Sequence, residues 1–149
     1  MNFFVISFLV ILADRLTKML VMNRMQEGMS IPVVQGFFNF TYVLNPGAAF
    51  GMLPNNRVFF IALTVAVLVI AFVARKQIAK EGPWFTYGMS LFLGGAIGNL
   101  LDRIKTGLVV DFFDFIVWPV FNVADIAICV GVGMIIWSVL KDETKQKIS

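Results

Sequence analysis

Four of the chain's nine acidic residues, Asp102, Asp111, Asp114 and Asp125, fall in the single stretch Gly94 to Asp125. The stretch begins and ends inside apolar sequence of membrane-embedded character. An ionisable residue at membrane depth is costly and marks a functional site by default. Two carboxylates that share a site cannot both ionise freely, so one holds a proton near neutral pH. The ionised acid can take a proton from water, and the protonated one can donate to a carbonyl oxygen and then to a leaving amine. That is how aspartic proteases hydrolyse a peptide bond. Asp111 and Asp125 are the candidate pair: the thirteen residues between them can fold back, which permits contact without demonstrating it. Aromatic residues around Asp111 and apolar ones after Asp125 would lower the local dielectric and help keep one acid protonated. Spacing alone does not prefer Asp111 over Asp102.

Composition narrows the chemistry. The 149 residues are 59% hydrophobic with mean hydropathy +0.86, and 14% are charged, against about 25% in a soluble domain. This predicts one integral membrane domain. There is no His, which removes Ser-His and Cys-His nucleophiles and His-based zinc sites. The single Cys, Cys129, lies deep in an apolar run and reads as a small buried hydrophobe. The net charge of +3 reflects loop asymmetry, and no basic patch interleaves with aromatics, so nucleic acid is not an expected partner.

The elements that must position the acids follow from the apolar runs. Four spans are expected, over residues 3–22, 57–74, 84–103 and 121–140. The first lacks a basic leader and a small-residue cleavage site, so it reads as a span and not as a cleaved signal peptide. Within it, Asp14 and Lys18 share a helix face with the acid leading, which suits a local ion pair as well as a site. Residues 23–56 lack a long apolar run. The alternation of Phe38, Phe40 and Tyr42 with polar neighbours predicts short strands there, and Asn45-Pro46-Gly47 reads as a turn. In the third span, Gly94 and Gly98 lie four apart, as do Gly95 and Asn99, spacing that lets helices pack closely. Asn99 and Asp102 share a face. Residues 104–120 form the next connection, where Asp111-Phe112-Phe113-Asp114-Phe115 alternates acid and aromatic in the manner of an interfacial segment. Asn122 is the cap candidate for the fourth span and Asp125 lies one turn inside it. The basic 75–83 loop and 141–149 tail place both termini in the cytoplasm by the positive-inside rule. Asp14, the 45–51 loop, Asp102, Asp111 and Asp125 then converge on the outer face, a result not used in setting the topology.

With these residues in view, the whole chain resembles the bacterial lipoprotein signal peptidases (signal peptidase II). Five blocks in order carry the resemblance: Asp14 to Lys18 (DRLTK), Asn45 to Gly51 (NPGAAFG), Gly94 to Arg103 (GGAIGNLLDR), Val109 to Phe112 (VVDF) and Phe121 to Asp125 (FNVAD). Each block is weak alone, and the five in this order are specific. The resemblance implies an all-α polytopic membrane protein of four transmembrane helices with a small extracytoplasmic β-structured platform. It implies cleavage of the signal peptide from prolipoproteins just before a diacylglyceryl-modified cysteine. It assigns catalysis to Asp111 and Asp125. It assigns support to Asp14, Lys18, Asn45, Gly47, Asn99, Asp102, Arg103 and Asn122, with Arg103 as a partner for a substrate backbone carbonyl. Asp114 stays a solvated or headgroup-facing acid. No cofactor or metal is implied. The expected partners are the lipidated substrate and membrane lipids, and the expected state is a monomer in the bacterial cytoplasmic membrane.

Three other readings fit parts of the sequence. A proton- or cation-coupled carrier could use Asp14, Asp102 and Asp125 as relay acids, but no inverted repeat is visible and the polar residues gather at one face. A membrane scaffold leaves the acids and asparagines without a purpose. A hard cation held by the carboxylates remains open to a chelator test.

Overall fold

A computed structural model of the chain describes residues 3–47 and 56–146. Residues Ala48 to Gly51 of the turn block lie outside the described residues. The fold is mostly helical with one small antiparallel sheet. In order, the elements are α1 (Phe3–Arg24), β1 (Ser30–Val34), β2 (Phe38–Asn45), α2 (Arg57–Val73), the short α3 (Arg75–Ile78), α4 (Pro83–Lys105), β3 (Val109–Asp114) and α5 (Val123–Gln146). The sheet order is β1-β2-β3.

Helix α4 is the central element, packed on α1, α2 and α5. Its glycines explain how. A Cβ at Gly94 would stand 2.9 Å from the backbone oxygen of Ser7 on α1, and one at Gly95 would stand 2.3 Å from the backbone oxygen of Ala124 on α5. Small residues spaced four apart thus let α4 approach one neighbour on each face, as the spacing predicts. Pro83 opens α4 at its first turn, where its missing N–H costs nothing. Of the described helices, Val123–Lys141 is long and apolar enough to cross a membrane, and Arg57–Val73 is apolar but shorter. Asp14 and Lys18 of α1 and Asp102 of α4 are buried, while Leu9, Leu12, Leu16 and Leu20 of α1 face outward.

The sheet holds one surprise for the sequence reading. Residues 38–45 form the expected strand, but Val109–Asp114, expected as part of an interfacial connection, is the strand β3. Its run of apolar residues is explained by burial, since Val109, Val110 and Phe112 are all 5% exposed or less. Gly107, at φ +84, closes α4 by donating its N–H to the Arg103 carbonyl and turns the chain into β3.

Candidate active site

Asp111 is positioned by register. Val43 pairs with Asp111 and Asn45 with Val109, so Asn45 lies diagonal to Asp111 on one face of the sheet. Asn45 Nδ2 donates to Asp111 Oδ2 at 2.9 Å. The Asn45 Oδ1 accepts from the Gly47 N–H at 2.9 Å, which makes the predicted turn and fixes which end of the amide faces Asp111.

The chain then returns. Phe121 bridges to Phe113, with the Phe113 N–H donating to the Phe121 carbonyl at 2.8 Å. Phe115 stacks on Phe121, ring centroids 5.9 Å apart. This closure brings Asn122 back to β3, and so the thirteen residues between the two aspartates fold into contact with the strand. Asn122 is fully buried. Its Nδ2 donates to Asp111 Oδ1 at 2.7 Å, with the Val110 carbonyl at 3.3 Å and Asn99 Oδ1 at 3.1 Å also in reach.

Asp125 sits in the first turn of α5. Its N–H donates to Asn122 Oδ1 at 2.9 Å, and its Oδ2 accepts from the Asn122 N–H at 3.1 Å. This is a reciprocal cap, with an acid at the favourable end of the helix dipole. Asn99 Nδ2, from α4, donates to Asp125 Oδ1 at 2.8 Å. One asparagine therefore touches both acids, and a second ties Asp125 to α4.

Behind Asn99 lies a buried charge cluster. Lys18, with no exposed surface, donates to Asn99 Oδ1 at 2.9 Å and pairs with Asp14 Oδ2 at 2.9 Å and Asp102 Oδ2 at 2.7 Å. The other oxygen of Asp102 pairs with Arg15. Asp14 Oδ1 accepts from the Ala124 N–H at 3.1 Å, which anchors the start of α5. A Cβ at Gly98 would stand 2.6 Å from Asp14 Oδ2, so only glycine leaves room for this acid between the helices.

Asp111 is 2% exposed. Burial first, and the Asp125 charge second, raise its carboxyl from 3.8 to about 7; the Asn45 and Asn122 hydrogen bonds oppose this. Burial and the neighbouring Asp125 charge therefore both favour the neutral form of Asp111. Asp114, on the half-exposed end of β3, behaves otherwise. Hydrogen bonds from the Thr41 hydroxyl at 2.6 Å and the Ile116 N–H at 2.8 Å go with a lowered pKa, set first by Thr41.

Both acids line a cavity of about 500 Å³. Asn45, Asn99 and Arg103 also line it, Trp118 adds a wall from the connection after β3, and Ile126 and Cys129 line it from α5. Arg103 donates to the Gly47 carbonyl at 2.9 Å, and its guanidinium lies 4.9 Å over the Phe60 ring. All ten residues marked from the sequence thus belong to one connected constellation, while Asp114 lies apart from it. Two residues were not read correctly. Cys129 is exposed, not buried, and lines the cavity one turn after Asp125. In an all-apolar helix, lipid-facing and core positions look alike, so hydropathy cannot tell them apart. Arg15 also joins the constellation through Asp102, and an Arg beside Asp14 in an apolar run is the sequence signal of such a buried acid partner.

Relatives share this sequence along its length. A family model described as signal peptidase (SPase) II matches residues 6–141. The lipoprotein signal peptidase of Pelotomaculum thermopropionicum is 46% identical over 146 residues, covering 98% of this chain and 96% of the relative. That of Moorella thermoacetica is 44% identical over 146 residues, covering 98% and 97%. Two solved structures of bacterial membrane enzymes superpose with TM-scores of 0.89 and 0.83 at 34% and 36% identity. The first alignment covers 95% of this chain and 88% of the other, the second 93% and 92%. By these matches in sequence and fold, the chain belongs to the signal peptidase II family.

Proposed function

We propose that this chain is an intramembrane aspartic endopeptidase that removes the signal peptide from diacylglyceryl-modified prolipoproteins, immediately before the lipidated cysteine. The observation that carries the reading is the pairing of Asp111 and Asp125 through Asn122, with Asp111 titrating near 7 beside a second acid. At neutral pH one acid of the pair is ionised and takes a proton from water, and the hydroxide attacks the scissile carbonyl. The other acid is protonated, donates to the carbonyl oxygen and then passes a proton to the leaving amine. Burial favours Asp111 as the protonated member. The donors on Asp125, Asn99 Nδ2 and the Asn122 N–H, are placed to hold a carboxylate. Arg103, held over Phe60 with donors to spare beyond Gly47, is the group to take a substrate backbone carbonyl.

In this reading α1, α2, α4 and α5 all span the bilayer, with both termini in the cytoplasm and the sheet and dyad at the outer face. The apolar side of the cavity, along Ile126 and Cys129, faces the lipid that carries the substrate's acyl chains. The enzyme works as a monomer, without metal or cofactor. Cleavage of a diacylglyceryl-modified prolipoprotein by the purified chain, abolished in Asp111→Asn and in Asp125→Asn, tests the reading. A folded native chain that leaves the lipidated substrate intact would overturn it.

A further inference from the structure

We propose that Arg15 is a positioning residue for the dyad: by neutralising Asp102 it keeps Lys18 on Asn99, and so keeps the Asn99 amide turned toward Asp125. The inference rests on the dyad reading of the site. Asp14, Arg15, Lys18 and Asp102 form an interlocked quartet of two acids and two bases, whose charges cancel. Lys18 has three protons to donate and no acceptor, and it meets three oxygens: Asp14 Oδ2, Asp102 Oδ2 and Asn99 Oδ1. Its contact with Asn99, the shorter of two on that oxygen beside Asn122 Nδ2 at 3.1 Å, helps oblige that side chain to present its oxygen. The amide nitrogen is then left for Asp125 Oδ1, at 2.8 Å. Arg15 holds the opposite oxygen of Asp102, and its side chain, 27% exposed, is where the quartet reaches the surface.

Without Arg15, three buried charges sum to minus one. That excess draws Lys18 toward Asp102 and away from Asn99, and leaves an uncompensated negative charge behind the dyad. Both effects reach the dyad, the first through Asn99 and the second through charge. The charged groups around the dyad of Asp111 and Asp125 are Asp14, Arg15 and Lys18 from α1 and Asp102 and Arg103 from α4. Loss of a plain interhelical ion pair would lower stability and move the titration through charge alone, leaving kcat of the folded chain unmoved.

The test follows the Asp111 carboxyl by infrared titration of purified, aspartate-labelled protein, identified by subtraction of Asp111→Asn. The native midpoint should lie near 7. One uncompensated charge moves a neighbouring titration by about 0.6 to 1.2 units at separations on the order of 10 to 20 Å and an effective dielectric of about 20. Arg15→Met should move the midpoint up by that amount and Asp102→Asn should move it down. The double variant restores charge balance and should return it to the native value, so the sign survives even if Arg15→Met alone does not fold. In the cleavage assay Arg15→Met should lower kcat about tenfold with KM within about twofold, and Arg15→Lys should restore most of kcat. Equal midpoints in native, Arg15→Met and Asp102→Asn would overturn the inference and leave the peptidase reading standing. Midpoints that move as stated in a native chain without cleavage would support the coupling and remove the peptidase.

Discussion

Asn122 and Asp125 cap each other at the start of α5, Asp125 N–H to Asn122 Oδ1 at 2.9 Å and Asn122 N–H to Asp125 Oδ2 at 3.1 Å. The same Asn122 donates its Nδ2 to Asp111 at 2.7 Å. A helix cap and an inter-acid bridge are thus one side chain, which sets the distance of one acid from the other by the start of a helix.

That double use separates two variants. Asn122→Ala loses both functions, so it should cost about 0.5–2 kcal/mol for the cap, more for the orphaned buried partners, and nearly all cleavage. Asn122→Asp keeps a capping oxygen but puts a third carboxylate against Asp111. It should raise the alkaline limit of activity and lower the rate. Thermal unfolding in detergent and the pH profile of cleavage distinguish the two.

The pH dependence has a definite sign. Asp111 titrates near 7 in the folded chain, against an ordinary 3.8, so between these values the fold holds a proton that the unfolded chain has shed. Its contribution to stability is complete below 3.8 and is lost as pH rises through about 7. Cleavage should fall above about pH 7, where the donor acid is lost. Asn45→Ala removes a donor that lowers this value, so its alkaline limb should move upward. A limb that stays in place in Asn45→Ala would show that Asp111 does not set it.

Gly98→Ala should be disproportionately harmful. The added methyl would meet Asp14 Oδ2 at 2.6 Å, and that acid cannot move without leaving Lys18 or the Ala124 N–H. Overpacking of this kind costs about 1–3 kcal/mol. Gly133→Ala meets nothing within 4 Å and serves as the control, with an effect within about 0.5 kcal/mol. Melting curves of the two variants check the contrast.

Cys129 offers a probe of the cavity. It is exposed and lines the same space as both acids. A small membrane-permeant maleimide should inactivate the native chain, and Cys129→Ser should stay active and insensitive. Full activity of a quantitatively labelled protein would contradict this placement.

Much of the constellation was legible because its residues are expensive where they stand. Asp14, Lys18, Asn99, Asp102, Asn122 and Asp125 interrupt apolar runs, and an interruption needs a partner. The glycine spacing in α4 likewise announced close packing. The assignment of Asp111 over Asp102 was not legible from spacing, and rested on resemblance. Its physical ground is tertiary. Asp102 is neutralised by Lys18 and Arg15, whereas Asp111 faces a second acid in the cavity. The strand character of β3 was hidden because aromatic and acidic residues alternate equally well on an interfacial segment. The exposure of Cys129 was hidden because α5 is apolar on every face.

The most direct measurement is release of the signal peptide from a diacylglyceryl-modified prolipoprotein, followed on a gel with purified chain, with and without a chelator. Asp111→Asn, Asp125→Asn and Asp114→Asn are compared with the native protein. A metal-free dyad requires cleavage that survives chelation, vanishes in the first two variants and persists in Asp114→Asn. Cleavage that persists in Asp111→Asn would contradict the account and move the catalytic acid elsewhere, with Asp102 the next to test.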